Sequence, residues 1–409
     1  MSPSMELSVA IAVASDAQVC IRCNRDSRGS PVLRVLHVLE ATLGGTRRIL
    51  EEGVATMLDA PIVQGLVYGT SRADKDFFKL LERMRSAGWY LAPIDTMRRP
   101  MNLVDDALSI GHMRRAIVQF KPDVLHLRSA KAGGIGRVAA ATFGKERPRI
   151  VYSPHALPAH LGSAFMLAER FLAPLADRFM ADSESERHEI ISKGIGRDDR
   201  VDVVYPAIDV EHYVNQDRAT AREALGLPTG VPVVIGVGRL CFQKDPETFV
   251  ATIARLRLRF PTVVGIWVGD GNLRSDTEAV AKDLRLGAAF RITGWVDDVR
   301  PYIAASDVLL STSRYESLGL FVAEAFAMER PVVATNITGT MDVFCPAVKS
   351  FLYEPGNTAA AVDLVGRILD DPELGARLGK VGRQSMLSRF SYALMHTALC
   401  RSYGSALTK

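Results

Sequence analysis

Short apolar runs recur along the chain, each followed by a stretch whose apolar positions return every three or four residues. Runs at 32–39, 61–68, 88–94, 123–127, 149–153, 178–181 and 201–205 predict a first series of strands. Amphipathic stretches such as 102–120 and 183–193 separate them as helices. Val32-Leu33-Arg34-Val35-Leu36 lacks clean alternation, as expected of a strand buried on both faces. The segment 211–232 is polar and turn-rich, with Gly226-Leu227-Pro228-Thr229-Gly230, and reads as a linker. A second series follows at 233–237, 263–268, 290–293, 308–311, 331–335 and 350–353. Helical patterns then cover 358–369 and 372–388, with a last amphipathic helix over 392–407.

Alternation of strand and helix predicts an α/β chain of two doubly wound, Rossmann-like domains, each a mostly parallel sheet with helices on both faces. The boundaries expected are a flexible extension over 1–30, a first domain over 31–210 and a second over 211–389. The helix 390–409 is expected to pack back on the first domain. Two such sheets would face each other across a cleft at their strand C-termini, where ligands bind this architecture.

Composition narrows the function. The 409 residues are too many for one ordinary core. Net charge is +4 with no long basic run, which argues against nucleic acid as a partner. The pairs Arg47-Arg48, Arg98-Arg99 and Arg114-Arg115 fit solvated surface, or attraction to an anionic substrate or membrane face. Five scattered cysteines fit a reducing cytoplasm, and the lone Cys20-Ile21-Arg22-Cys23 has no second ligand pair nearby. No stretch approaches the roughly 18 apolar residues of a membrane span. The run 7–14 follows Glu6 and has no preceding Lys or Arg, so it lacks a signal peptide's charged start.

Candidate chemistry clusters at predicted strand ends. Arg239 and Lys244 flank the turn after 233–237, and fixed cations there would hold a departing diphosphate without a metal. Gly269-Asp270-Gly271 marks a tight turn after the next strand. Glu316 and Glu324 bracket Ser317-Leu318-Gly319-Leu320-Phe321-Val322-Ala323, with a helix expected to begin near Leu318 or Gly319. The free amides at Gly319, Leu320 and Phe321 would then form an anion site. The two carboxylates would take sugar and ribose hydroxyls. Glutamates eight apart also occur on solvated helix faces, but the glycine and apolar residues between these argue otherwise. In the first half Gly44 and Gly45 sit between a strand and a helix, allowing close backbone approach by a phosphate or sugar. His155 follows 149–153 and is a site candidate. His126, Arg128 and Lys131 end or follow another strand and are candidates for acceptor contacts. Asp74-Lys75-Asp76, the only D-x-D, falls in a polar stretch read as surface with no strand before it.

These residues resemble the retaining GT-B glycosyltransferases of family 4, over about residues 31–409. The carriers are Gly44-Gly45, Ser129-Ala130-Lys131-Ala132-Gly133 with Gly136-Arg137, Pro154-His155, the run Ala181-Asp182-Ser183-Glu184-Ser185-Glu186, Tyr205-Pro206-Ala207-Ile208-Asp209, the Arg239/Lys244 turn and the Glu316/Glu324 pair. The resemblance implies donor diphosphate on Arg239 and Lys244, ribose on Glu324, and the transferred sugar on Glu316, His155 and the glycine loop. It departs from the family pattern where relatives often have His-x-His, here His126-Leu127-Arg128, and where they often have Pro-Asn-Gly, here Pro206-Ala207-Ile208. The activity implied is transfer of a sugar from a nucleotide-diphosphate donor to a glycan or lipid-linked acceptor in polysaccharide synthesis. A UDP-sugar is the first expectation for the donor and GDP-mannose the alternative. No metal or other cofactor is expected. The enzyme would be cytoplasmic, with peripheral membrane association as an option. A sugar-nucleotide epimerase and a catalytically silent nucleotide-binding protein are the rival readings.

Overall fold

The computed structural model describes residues 24–25, 31–56, 62–157, 162–214 and 216–408. The expected extension over 1–30, apart from 24–25, and the pair Cys20 and Cys23 lie outside the described residues. The chain forms two compact units, one of Met1–Ala207 with Tyr392–Lys409 and one of Ile208–Ser391.

The first unit is built on β1 (Asn24–Arg25), β2 (Pro31–Leu39), β3 (Ile62–Gly69), β4 (Tyr90–Ile94), β5 (Val124–Arg128), β6 (Arg149–Ser153), β7 (Arg178–Ala181) and β8 (Val201–Val203). The sheet runs β4-β3-β2-β5-β6-β7-β8 and is parallel throughout, with β1 added antiparallel to β2. Every residue of β5 is buried, which is why that segment reads as an unbroken run instead of an alternating one. The order reverses between β2 and β5, so a crevice opens at their C-terminal ends. The final helix Tyr392–Leu407 belongs to this unit and packs on the helix Gly45–Thr56 and on β5, β6 and β7.

The second unit carries β9 (Val233–Val237), β10 (Val264–Val268), β11 (Phe290–Ile292), β12 (Val308–Ser311), β13 (Val332–Thr335) and β14 (Leu352–Tyr353). Its sheet is parallel in the order β11-β10-β9-β12-β13-β14, reversing between β9 and β12. One expectation changes here. The stretch read as a linker contains the helix Arg218–Ala224, capped by Asp217, which accepts from the Thr220 amide at 2.7 Å. Arg222 of this helix is buried, donating to the Ala305 carbonyl at 2.9 Å and to Asp307 at 2.7 Å. Asp307 also accepts from the Val233 amide at 2.7 Å, so the helix is tied to the start of β9. The density of Gly, Pro and Asn around it hid a short helix held by one buried guanidinium.

Candidate functional site

In the second unit the candidate groups gather where the sheet order reverses. Gly238, with φ 142°, ends β9 and donates to the Val268 carbonyl at 3.0 Å. Leu240 donates to the Asp270 carbonyl at 3.0 Å, so the loops after β9 and β10 lie backbone to backbone. A Cβ on Gly269 would stand 2.2 Å from the Gly238 oxygen, and one on Gly271 2.3 Å from the Leu240 oxygen. That close approach explains the two glycines around Asp270.

The Lys244 stem crosses Gly238, where an added Cβ would meet Cε at 2.9 Å. Its Nζ donates to Glu316 Oε1 at 2.5 Å and sits 4.1 Å from the centre of the Phe321 ring. Gln243 braces the same carboxylate, donating through Nε2 to the Tyr315 carbonyl at 3.0 Å and to Glu316 Oε2 at 3.4 Å. Thr312, just past β12, donates to the Lys244 and Asp245 carbonyls at 2.8 and 2.9 Å and fixes the turn to the sheet. Two residues given separate roles by sequence, a diphosphate cation and a sugar-orienting carboxylate, thus meet in one mostly buried ion pair. Arg239 is half-buried and forms no ion pair or side-chain hydrogen bond among the described residues. A guanidinium in that position is a fixed donor for an anion.

The helix Leu320–Ala327 begins one residue after Gly319, whose φ of 86° makes it a left-handed entry that favours glycine. Glu324 lies in the second turn and is buried, and Glu316 lies in the loop ahead. Phe242, 60% exposed, instead points away under Arg314, whose guanidinium carbon is 4.5 Å from the ring centre. Arg314 also pairs with Asp245 at 3.0 Å.

The first unit is arranged differently. Gly44 takes φ 86° before the helix Gly45–Thr56 and has open space where a Cβ would be. His126 is fully buried inside β5, its Nδ1 2.7 Å from the Tyr403 hydroxyl and its Nε2 2.9 Å from Ser153 Oγ. Burial, with the Arg128 charge adding to it, holds the imidazole well below its usual pKa. His37, 5.5 Å away ring to ring, is lowered to about 3 for the same two reasons. Arg128 is buried at 1% exposure, 3.4 Å from His126 Nδ1, and its Nε has no partner among the described residues. Lys131 is tied to Asp106 at 2.7 and 2.9 Å. So neither His126 nor Arg128 reaches the surface. They and Tyr403 join the last helix to the sheet. Asp74 departs from its reading only in having a strand before it, since its side chain stays 34% exposed. It follows β3 closely and caps the helix Lys75–Ser86, accepting from the Phe77 amide at 2.8 Å and from Arg47 at 2.7 Å.

His155 stands just past β6 with φ 52°, followed by Ala156 at φ 76°. Its Nδ1 is 2.8 Å from Asp182 Oδ2, both side chains nearly fully buried, and its Nε2 is buried with no partner among the described residues. Among the described residues, no three His, Cys, Asp or Glu side chains are grouped to hold a metal ion.

A family model described as glycosyl transferases group 1 matches residues 217–385, and one described as glycosyltransferase family 4 matches 67–212. The two segments divide between the two units. The chain belongs to the family 4-like GT-B glycosyltransferases. Among relatives, a D-inositol 3-phosphate glycosyltransferase of Nocardia farcinica is 30% identical over 66% of this chain and 64% of its own length. This chain therefore spans just under two thirds of that relative. A UDP-Gal:alpha-D-GlcNAc-diphosphoundecaprenol alpha-1,3-galactosyltransferase of Escherichia coli is 27% identical over 73% of this chain and 79% of its own. The fold matches that of Anabaena Alr3699/HepE, solved in complex with UDP and glucose, with a TM-score of 0.76 at 22% identity, covering 90% of this chain and 98% of that one.

Sequence reasoning gave no role to two groups of this family 4 chain. Asp182 and Glu186 lie in a run singled out only for its resemblance. A signal was present: Ser183 and Glu186 have capping-box spacing. Ser183 Oγ does accept from the Glu186 amide at 3.1 Å. The Glu186 carboxylate, however, reaches past the cap, accepting from the Asp182 amide at 2.6 Å and the Ala156 amide at 2.8 Å. Burial, reinforced by the Asp182 charge, raises its pKa well above the ordinary glutamate range.

Proposed function

We propose that the chain is a retaining, metal-independent glycosyltransferase that moves a sugar from a UDP-sugar to a glycan or lipid-linked acceptor in polysaccharide synthesis. The observation that carries this is the grouping of Arg239, Lys244, Glu316 and Glu324 at one sheet edge, in a chain of this family. As the sugar–phosphate bond breaks, negative charge grows on the departing diphosphate. Arg239 and Lys244 supply fixed positive charge against it, and a bound phosphate competes with Glu316 for Lys244. Glu324 takes the ribose hydroxyls. Glu316, braced by Gln243, orients the sugar. The leaving phosphate accepts the acceptor's proton on the face it leaves, so configuration is retained. UDP is favoured over GDP because the E. coli relative's name and the HepE complex both contain it.

A lipid-linked acceptor suits one surface of the first unit. On the helix Ser163–Leu172, Leu167 is 68% and Phe171 82% exposed, while the only acidic residue, Glu169, is buried against Arg137. Leu103, Val104, Leu108, Arg114 and Arg115 are exposed on the helix Leu103–Phe120, which like Ser163–Leu172 packs on the helix Ala130–Ala141, and such apolar and cationic side chains suit the face of an anionic bilayer. No helix among the described residues is long and apolar enough to cross a membrane.

One assay tests the whole reading. UDP- and GDP-sugars are offered with and without water-soluble and vesicle-borne acceptors, in the presence and absence of EDTA. Acceptor-dependent UDP release that survives EDTA is expected. Loss with EDTA and recovery with magnesium or manganese would overturn metal independence. Isomerised donor without transfer would favour an epimerase, and no turnover with intact UDP binding a silent binding protein. Equal sedimentation with anionic and neutral vesicles would remove the membrane face.

A further inference from the structure

The turn at His155 and Ala156 is strained, and buried carboxylates restrain it. Two consecutive non-glycine residues with φ of 52° and 76° bring each Cβ against the following carbonyl oxygen, so an unrestrained chain leaves this conformation. The Ala156 amide is held by Glu186 Oε1 at 2.8 Å, while Oε2 of the same carboxylate takes the Asp182 amide at 2.6 Å. Asp182 in turn receives the His155 Nδ1 hydrogen at 2.8 Å, which leaves Nε2 unpartnered among the described residues. Glu186 is itself fully buried and fixed at the start of the helix Glu184–Ser192 by Ser183.

We infer that Glu186 is a positioning residue: it latches the left-handed turn, and through Asp182 it sets the ring so that Nε2 faces a substrate hydroxyl. With Nδ1–H committed to Asp182, the neutral ring offers a lone pair at Nε2, the acceptor a sugar hydroxyl requires. The carboxylate is needed in both halves, because each oxygen accepts one backbone hydrogen. Replacing one oxygen by an amide nitrogen removes an acceptor from one of the two amides. The inference rests on the reading of His155 as a sugar contact, and its test separates the two.

The test uses full-length Glu186→Gln, Ala156→Gly, the double variant and His155→Ala. Thermal midpoint, UDP affinity and UDP release from UDP-glucose are measured for each. Glu186→Gln is expected to lower the midpoint and to reduce turnover 10- to 100-fold, with UDP affinity within twofold because the nucleotide belongs to the second unit. Glycine accepts the left-handed region freely, so Ala156→Gly raises the midpoint alone and recovers turnover and midpoint in the double variant. Unchanged turnover and midpoint in Glu186→Gln, or a further fall in the double variant, would overturn the latch. Full turnover in His155→Ala would sink the sugar contact alone. The midpoint rescue by glycine would then still decide the latch.

Discussion

The C-terminal edges of the two sheets share an architecture and use polar residues in opposite ways. In the second unit, Arg239 and the Lys244–Glu316 pair sit in turns beyond the strands, bedded on glycines and partly open to a ligand. In the first, His126 and Arg128 lie inside β5, His126 spent on Tyr403 and Ser153 with Arg128 against it, while His155 just beyond β6 pairs with Asp182 through Nδ1. One edge carries its charges in turns beyond the strands, and the other uses His126 and Arg128 to close the fold. The lesson is positional. A polar residue in the turn after a parallel strand is available for chemistry, while one two residues earlier is core.

The largest effect expected from breaking this contrast is at Lys244. Lys244→Ala should cut turnover by roughly 10²–10³-fold, about 2.7–4 kcal/mol, as for loss of a preorganised charge at a developing anion. The thermal midpoint should fall little, since Glu316 keeps its Gln243 contact. Turnover near wild type at saturating donor would remove Lys244 from the reaction.

His126→Ala should do the reverse. It leaves the Tyr403 hydroxyl and Ser153 Oγ without their partner and opens a cavity, costing roughly 2–4 kcal/mol of stability. Urea denaturation reads this loss, and turnover per folded molecule should stay close to wild type. A stable variant with collapsed turnover would move His126 from the fold to the site.

A smaller effect comes with pH. His37 and His126 are neutral when folded, and both have pKa values below the ordinary histidine value, His37 at about 3. Each therefore contributes stability that is present above about pH 6.5 and lost as pH falls, because the unfolded chain binds the proton first. By pH 5.5 the loss is about 1.4 kcal/mol for each histidine. His37→Gln should halve the pair's share of that acid sensitivity in urea titrations at pH 7 and 5.5. An unchanged slope would mean that His37 protonates without disturbing the fold.

Much of this was legible before the structure. The segments 149–153, 178–181, 233–237 and 308–311 coincide with β6, β7, β9 and β12, because strands buried on both faces leave unbroken apolar runs. The helix start expected near Leu318 or Gly319 falls one residue later, at Leu320, because Gly319 takes the left-handed cap position. What stayed hidden depends on distant partners. His126 meets Tyr403 across 277 positions, and nothing local in His126-Leu127-Arg128 separates a core histidine from a ligand-facing one. The Lys244–Glu316 pair needed the register of β9 beside β12, and the Glu186 latch needed a helix start brought beneath the turn after β6.

The central claim is that the second unit's sheet edge holds a nucleoside diphosphate by its phosphates. Calorimetric titration of UDP and of uridine into wild type and Arg239→Ala tests it most directly. A charge-assisted contact is worth about 1.5–3 kcal/mol, so UDP should bind roughly 10- to 150-fold more weakly to the variant while uridine affinity stays the same. Equal UDP affinity for the two proteins, or a parallel loss of uridine binding, would contradict it.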